Sequence, residues 1–170
     1  MSLPSVVARA VWYRRCAWAA TVWAGAFAVL HFYWALGGNL GLAVSAGPEL
    51  AAERPAWFVA GGLWGIGMLC VAGAIVGREL TRSRLRGFAR VLARSAGWFA
   101  GLILLVRAAS VEILLLVGPT LDDTVGPAHR FWTLVLWNPW FAVGGITFLV
   151  ASYGHKAKET AETVSDRTTA

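Results

Sequence analysis

Charged residues are scarce in this 170-residue sequence and make up 14 % of the chain. An ordinary soluble domain carries about 25 %, so the composition argues against a water-soluble globule. Intrinsic disorder is excluded as well, because it requires few apolar residues, whereas 58 % of this chain is hydrophobic and its mean hydropathy is +0.61. The sequence therefore predicts a protein that sits in a lipid bilayer.

Cysteine is also rare. Cys16 and Cys70 lie inside or at the edge of apolar segments and no spacing pairs them, so we infer no disulfide, thiol or metal chemistry. The chain has no phosphate-binding glycine loop, zinc motif or serine-nucleophile elbow, which leaves nucleotide hydrolysis, zinc hydrolysis and esterase chemistry without support. No cofactor is predicted, since His31 is the single histidine within a predicted span and a bis-histidine haem needs two.

Long stretches without charge mark the membrane-spanning helices. Residues 16–48, 55–77 and 131–155 contain no formal charge, and each range holds the roughly 18 or more apolar residues that can cross a bilayer. A fourth apolar run is interrupted by Arg107 and Glu112, which must therefore face protein or a hydrated cavity. We predict spans near residues 16–36, 57–77, 96–117 and 131–152.

Four spans with short connections predict an all-α fold, a polytopic membrane protein built as an antiparallel four-helix bundle. Residues 1–154 would form one transmembrane domain. Residues 155–170, rich in Thr, Ala, Lys and Glu without an apolar period, are predicted to be a disordered cytoplasmic tail. Glycines four residues apart predict close helix packing along glycine grooves on the second and third spans. These pairs are Gly61 and Gly65, Gly73 and Gly77, and Gly97 and Gly101.

Lysine and arginine fall mostly on one side of the predicted bundle. With both termini in the cytoplasm, that side receives twelve of the fifteen basic residues, the outer side receives Arg54 and Arg130, and Arg107 lies within the membrane. The positive-inside rule expects this asymmetry. We therefore predict a multi-pass protein of the cell membrane with cytoplasmic termini, and the formal net charge of +6 needs no nucleic-acid partner.

Four polar residues within the spans carry the functional hypothesis. His31, Arg107, Glu112 and Asn138 all lie in the outer half of the predicted spans. Because charged groups are costly in hydrocarbon, we expect these residues to converge on a polar pocket. Burial would keep Glu112 protonated, so that it could act as a catalytic acid with His31 as its acid–base partner. Arg107 and Glu112 could equally form a buried polar clip that orients the bundle.

Aromatic residues are expected around the same pocket. Trp23, Phe27, His31 and Trp34 follow one another at spacings of four, four and three, which places them on one helix face. Such a stripe is typical of packing, but here a histidine interrupts it. The predicted ligand-binding residues are Trp23, Phe27, Tyr33, Trp34, Arg107, Trp137 and Asn138.

An acidic pair lies in the predicted outer loop. Asp122 and Asp123 are adjacent and could contact a cation or a phosphate. A solvated acidic turn is the alternative interpretation of the same two residues.

Two stretches of the sequence resemble a known family. The first is His31-Phe32-Tyr33-Trp34-Ala35-Leu36-Gly37-Gly38, and the second is Asn138-Pro139-Trp140-Phe141 with Gly144-Gly145. They are similar to the signature stretches of small bacterial four-helix membrane proteins grouped as a domain of unknown function. The resemblance extends to about Ser152 and implies the four-span architecture, but it implies no substrate.

Three functions are compatible with these observations. The first is a binder or enzyme for a lipophilic small molecule, for instance an isoprenoid that is cyclised when Glu112 donates a proton. The second is a non-enzymatic accessory or assembly subunit that works with a membrane partner or as a homo-oligomer. The third is a small ion or solute transporter subunit that uses Arg107 and Glu112 as a relay.

Overall fold

The computed structural model of the chain describes residues 3–82, 87–117 and 127–168. Within these ranges all regular secondary structure is helical, as a bilayer requires, because only helices and closed barrels satisfy their backbone hydrogen bonds without water. Four helical stretches are long and apolar enough to cross a membrane, which confirms the predicted all-α, four-span architecture. They are Ala8–Ala35, Phe58–Thr81, Gly87–Leu116 and Pro127–Gly154.

The spanning helices are not regular throughout. The second begins with a π-helical segment, Phe58–Gly65, and the fourth contains another, Thr133–Trp137. The last helix runs on to Thr168, beyond the domain boundary predicted at residue 154. The α-helices are α1 (Leu3–Ala35), α2 (Leu42–Ala46), α3 (Pro48–Glu53), α4 (Ile66–Thr81), α5 (Gly87–Val117), α6 (Pro127–Trp132) and α7 (Asn138–Thr168).

The four spans form an antiparallel bundle. Helix α1 packs along α4 and α7, and α5 packs along α7 and less extensively along α4. The first and fourth spans run antiparallel, since Trp23 lies against Gly144 near the middle and the later Trp34 lies against the earlier Trp137 near one end. The large apolar side chains that remain exposed, such as Met68 and Phe99, point away from the bundle, as lipid-facing residues do.

Glycine grooves allow these helices to approach closely. A Cβ atom on Gly77 would lie 2.9 Å from the backbone nitrogen of Thr21, and one on Gly101 would lie 3.0 Å from the carbonyl oxygen of Gly145. The predicted grooves on the second and third spans are therefore confirmed for these glycines, and they receive α1 and α7 respectively. By contrast, the space beside Gly61 is open, with no atom within 4 Å of an added Cβ.

Helices α2 and α3 cover one end of the bundle, which we call the capped end. The chain turns at Gly37, Gly41 and Gly47, whose φ angles of 105°, 76° and 93° are strained for any residue with a Cβ. Arg54, at the end of α3, donates hydrogen bonds to the carbonyl oxygens of Trp34 (2.8 Å) and Gly38 (2.6 Å). These bonds fix the cap on the end of α1 and on the turn that follows it, where a cation is also favoured by the helix dipole.

Candidate functional site

A cavity of about 400 Å³ lies beneath the cap. Its size is within the range of small-molecule sites, and its wall is mostly apolar, as such sites usually are. All four spans and α2 contribute to the wall. The polar lining residues are His31, Ser45, Arg107, His129 and Thr133.

Aromatic rings form one side of the cavity. Phe27, His31 and Trp34 project from α1, with ring centroids 4.5 Å apart for Phe27 and His31 and 5.2 Å apart for His31 and Trp34. Trp137 and Phe141 meet them from the fourth span, at 6.2 Å from Trp34 and 5.4 Å from Phe27. These edge-on arrangements are favourable for aromatic rings and hold the wall rigid.

Arg107 brings a positive charge to this wall. It projects from α5, and its Cζ atom lies 3.8 Å from the centroid of the Phe141 ring. A guanidinium over an aromatic face is stabilised by the ring quadrupole, and more strongly where water is excluded. The same guanidinium donates a hydrogen bond from Nη1 to Oδ1 of Asn138, at 2.9 Å.

Asn138 links Arg107 to Glu112. Its amide nitrogen Nδ2 donates to Oε2 of Glu112 at 2.5 Å, while its Oδ1 accepts from Arg107. Arg107 fixes the orientation of the amide, because a guanidinium can only donate, which leaves Nδ2 of Asn138 to donate to the Glu112 oxygen. Asn138 is buried, with 4 % of its surface exposed, so it forms the buried centre of a polar bridge between α5 and α7.

Glu112 does not line the aromatic cavity. Together with Asn138 it lines a separate, shallower recess of about 360 Å³ on the other side of the bridge, among apolar residues such as Ala108 and Leu134. Of the four polar residues expected to converge, the structure thus joins Arg107, Asn138 and Glu112 directly, and places His31 with Arg107 around the cavity.

Buried polar atoms around the cavity lack partners. In the part of the chain that the structure describes, Nε1 of Trp137 and Nδ1 of His129 are shielded from solvent and form no hydrogen bond. Both residues line the cavity. Buried polar groups are nearly always paired, and within the described ranges Nε1 of Trp140 and Oγ of Ser152, which do not line the cavity, are unpaired as well. No three His, Cys, Asp or Glu side chains among the described residues are grouped to hold a metal ion.

The two π-helical segments shape the wall. Phe58, Gly62 and Leu63 of the first segment, and Thr133 and Trp137 of the second, line the cavity. In the second segment the N–H of Asn138 donates to the carbonyl of Thr133. Pro139 follows directly and has no N–H to continue the regular ladder, which is a common cause of a local irregularity. Single π turns are frequent at functional sites.

Other residues of the predicted set lie elsewhere. Trp23 is packed in the core, and its Nε1 donates to the carbonyl of Trp140 at 2.8 Å. Tyr33 is 44 % exposed and lies against Gly38. Asp122 and Asp123 lie outside the described residues.

Many of the lining residues were not in the predicted set, among them His129, Thr133 and Phe141. Thr133, Trp137 and Phe141 are spaced by four residues, so they share one helix face. That spacing could have extended the prediction from Trp137 to its neighbours. His129 could not be found in this way, because its place depends on how α6 enters the bundle.

Comparison with known proteins identifies the family. The model of a family described as "Protein of unknown function (DUF3995)" matches residues 24–148. The chain belongs to this family. The DUF3995 range includes every residue of the cavity wall, from Phe27 to Phe141. No curated protein and no solved structure matches the chain.

Proposed function

We propose that this DUF3995 protein binds a lipophilic small molecule in the cavity beneath the cap. The observation that carries the proposal is the guanidinium of Arg107 at the wall of an otherwise aromatic and aliphatic cavity within a membrane-spanning bundle. A ligand that enters from the bilayer would lay its apolar part along Phe27, Trp34 and Phe141. Its polar group would accept hydrogen bonds at Arg107.

An isoprenoid is the ligand class that we favour. Its double bonds and methyl branches pack well against aromatic rings, and its terminal oxygen would provide the acceptor for Arg107. Cyclisation of such a ligand would require Glu112 to deliver a proton into the cavity. The carboxylate accepts a hydrogen bond from Asn138 and lines the adjoining recess instead, so we restrict the proposal to binding.

The test is to fill the cavity and measure the ligand that remains bound. Val111 lines the cavity, whereas Ile113, on the same helix, is 62 % exposed on the lipid-facing surface. We expect Val111→Trp to reduce the amount of co-purified lipophilic molecule at least tenfold, because the indole takes up the space that the ligand needs. Ile113→Trp adds the same side chain outside the cavity and serves as the matched control. The measurement is mass spectrometry of organic extracts from protein purified in mild detergent.

Two results would contradict binding in the cavity. One is that both variants retain as much ligand as the wild type. The other is that the wild type and both variants are folded and carry only bulk phospholipid. Circular dichroism and size-exclusion chromatography must show that the variants remain folded. Without that control, a loss of ligand from Val111→Trp could come from unfolding.

A second candidate function is that of an accessory or assembly subunit. It is favoured by the bridge from Arg107 through Asn138 to Glu112, which joins two spans. At its Glu112 end, this bridge lines the separate recess and not the aromatic cavity. Polar groups of this kind fix the register of helices or bind a neighbouring helix in lipid. Under this alternative, Glu112→Gln would change the mass of the detergent-solubilised assembly and leave the extracted small molecules unchanged.

A further inference from the structure

His31 has one ring nitrogen whose role is fixed by its partner. The residue is 8 % exposed, and Nδ1 lies 2.9 Å from the carbonyl oxygen of Phe27, one turn earlier on α1. A carbonyl oxygen can only accept a hydrogen bond, so Nδ1 must carry the proton and donate it. The guanidinium of Arg107 lines the same cavity, and a second positive charge there is unfavourable. In the neutral ring with its proton on Nδ1, the other nitrogen, Nε2, is an acceptor.

Nε2 is available to the cavity. Nδ1 is directed back to the backbone of α1, and Nε2 is on the opposite edge of the ring. Since His31 lines the cavity, we take this opposite edge to be the one that faces it. Phe27 and Trp34 flank the imidazole on the same face of α1 and keep it in this orientation. Among the residues that the structure describes, Nδ1 is the only atom of the His31 side chain with a hydrogen-bond partner.

Two of the other polar groups on the wall can only donate, whereas the hydroxyls of Ser45 and Thr133 can both donate and accept. The guanidinium of Arg107 cannot accept a hydrogen bond, and neither can the indole nitrogen of Trp137, which is buried without a partner within the described ranges. The cavity thus combines donors on α5 and on the fourth span with an acceptor on α1. A ligand group that satisfies both must accept and donate at the same time.

We propose, on the basis of the function inferred above, that the polar group of the ligand is a hydroxyl. Its oxygen accepts a hydrogen bond from Arg107 or Trp137, and its hydrogen is donated to Nε2 of His31. Alcohols and phenols of lipophilic molecules satisfy this arrangement. Aldehydes, quinones and ethers do not, because they accept hydrogen bonds but donate none, and they would leave Nε2 unpaired.

Farnesol and farnesyl methyl ether test this inference, because they share one farnesyl chain and differ in whether the oxygen carries a hydrogen or a methyl group. Binding to purified protein in detergent is measured by native mass spectrometry as each compound is titrated. We expect the wild type to bind farnesol at least tenfold more tightly than the ether, the order of magnitude that an unmet buried hydrogen bond produces.

Two substitutions of His31 separate its two nitrogens. The amide of asparagine reaches the position of Nδ1, so His31→Asn keeps a donor for Phe27 and removes the acceptor from the cavity. The longer side chain of glutamine places an amide oxygen near the position of Nε2, so His31→Gln keeps an acceptor there. We expect the preference for farnesol to disappear in His31→Asn and to be largely retained in His31→Gln.

The outcomes distinguish this inference from the proposed function. Equal binding of farnesol and the ether by the wild type overturns the hydroxyl inference and leaves ligand binding intact. The same holds if His31→Asn preserves the preference. If the folded wild type binds neither compound, both proposals fail for this ligand class. A ¹⁵N spectrum of histidine-labelled protein, assigned with His31→Gln, gives an independent check, since a proton on Nε2 rather than on Nδ1 would also overturn the inference.

Discussion

At the scale of single residues, Asn138 shows how a polar side chain is accommodated in a membrane-spanning bundle. Its oxygen meets a cation and its nitrogen meets a carboxylate, so both charged side chains obtain a partner within the protein. Hydrogen bonds to charged groups are stronger than neutral ones. The cost of an unpaired charge is also higher beside lipid than beside water. Removing the amide should therefore affect two charged groups at once.

We expect Asn138→Leu to lower the free energy of unfolding by about 1–3 kcal/mol, because leucine has the same branching of side-chain heavy atoms but leaves Arg107 and Glu112 without the bridge. The measurement is a denaturant titration in mixed micelles followed by circular dichroism. Thr147→Val is the control on the same helix, since the Thr147 hydroxyl donates to carbonyls of its own helix, those of Val143 and Gly144. An unchanged free energy of unfolding for Asn138→Leu would show that the bridge adds nothing to stability.

The sequence predicts individual site residues better than their pairing. His31, Arg107, Glu112 and Asn138 stand out because polar groups are rare in apolar spans. Their arrangement depends on the rotation of each helix about its axis. The π turn before Asn138 changes that rotation, and regular helical spacing contains no signal for it. For this reason the separation of Glu112 from the aromatic cavity follows only from the structure.

At the scale of helices, glycines set how closely the spans pack. Gly101 on α5 and Gly145 on α7 face each other, and a Cβ atom on Gly145 would lie 2.9 Å from the carbonyl oxygen of Gly101. Backbone atoms cannot move aside as a flexible side chain can. An added methyl group must therefore separate the two helices.

We expect Gly145→Ala to destabilise the bundle by about 1–3 kcal/mol through this overpacking. Gly25→Ala is the matched control, since no atom lies within 4 Å of a Cβ atom at that position. Alanine has the higher helix propensity, so the control should be neutral or up to about 1 kcal/mol more stable. Thermal unfolding in detergent measures both variants. If both changes have the same sign, the close approach of α5 and α7 does not control stability.

The sequence predicts the four spans better than it predicts the short helices of the cap. The four spans follow from apolar runs whose length matches the bilayer, a constraint that acts on each helix separately. Helices α2 and α3 are short and lie where glycines and a proline predict only a loop. They are held in place by contacts with other elements, such as the hydrogen bonds of Arg54 to the end of α1, so local sequence does not specify them.

At the scale of the whole molecule, the charges of the two ends differ. The end formed by Thr81 and Gly87 carries the arginines Arg78, Arg82, Arg90 and Arg94, whereas the capped end carries Arg54 and Arg130. Positively charged connections remain on the cytoplasmic side of a membrane. We therefore predict that the cap and the cavity beneath it face away from the cytoplasm, so that a ligand enters from the outer leaflet.

Cysteine labelling in intact cells tests this orientation. In a background with Cys16→Ala and Cys70→Ala, a single cysteine is introduced either by Glu49→Cys in the cap or by Ala89→Cys at the start of α5, two exposed positions at opposite ends of the bundle. A membrane-impermeant maleimide should label the Glu49→Cys protein in intact cells and the Ala89→Cys protein only after permeabilisation, because the arginine cluster beside Ala89 stays in the cytoplasm. The cysteine-free background controls for non-specific labelling. The reverse pattern would place the cavity on the cytoplasmic side, and a ligand would then have to come from the inner leaflet.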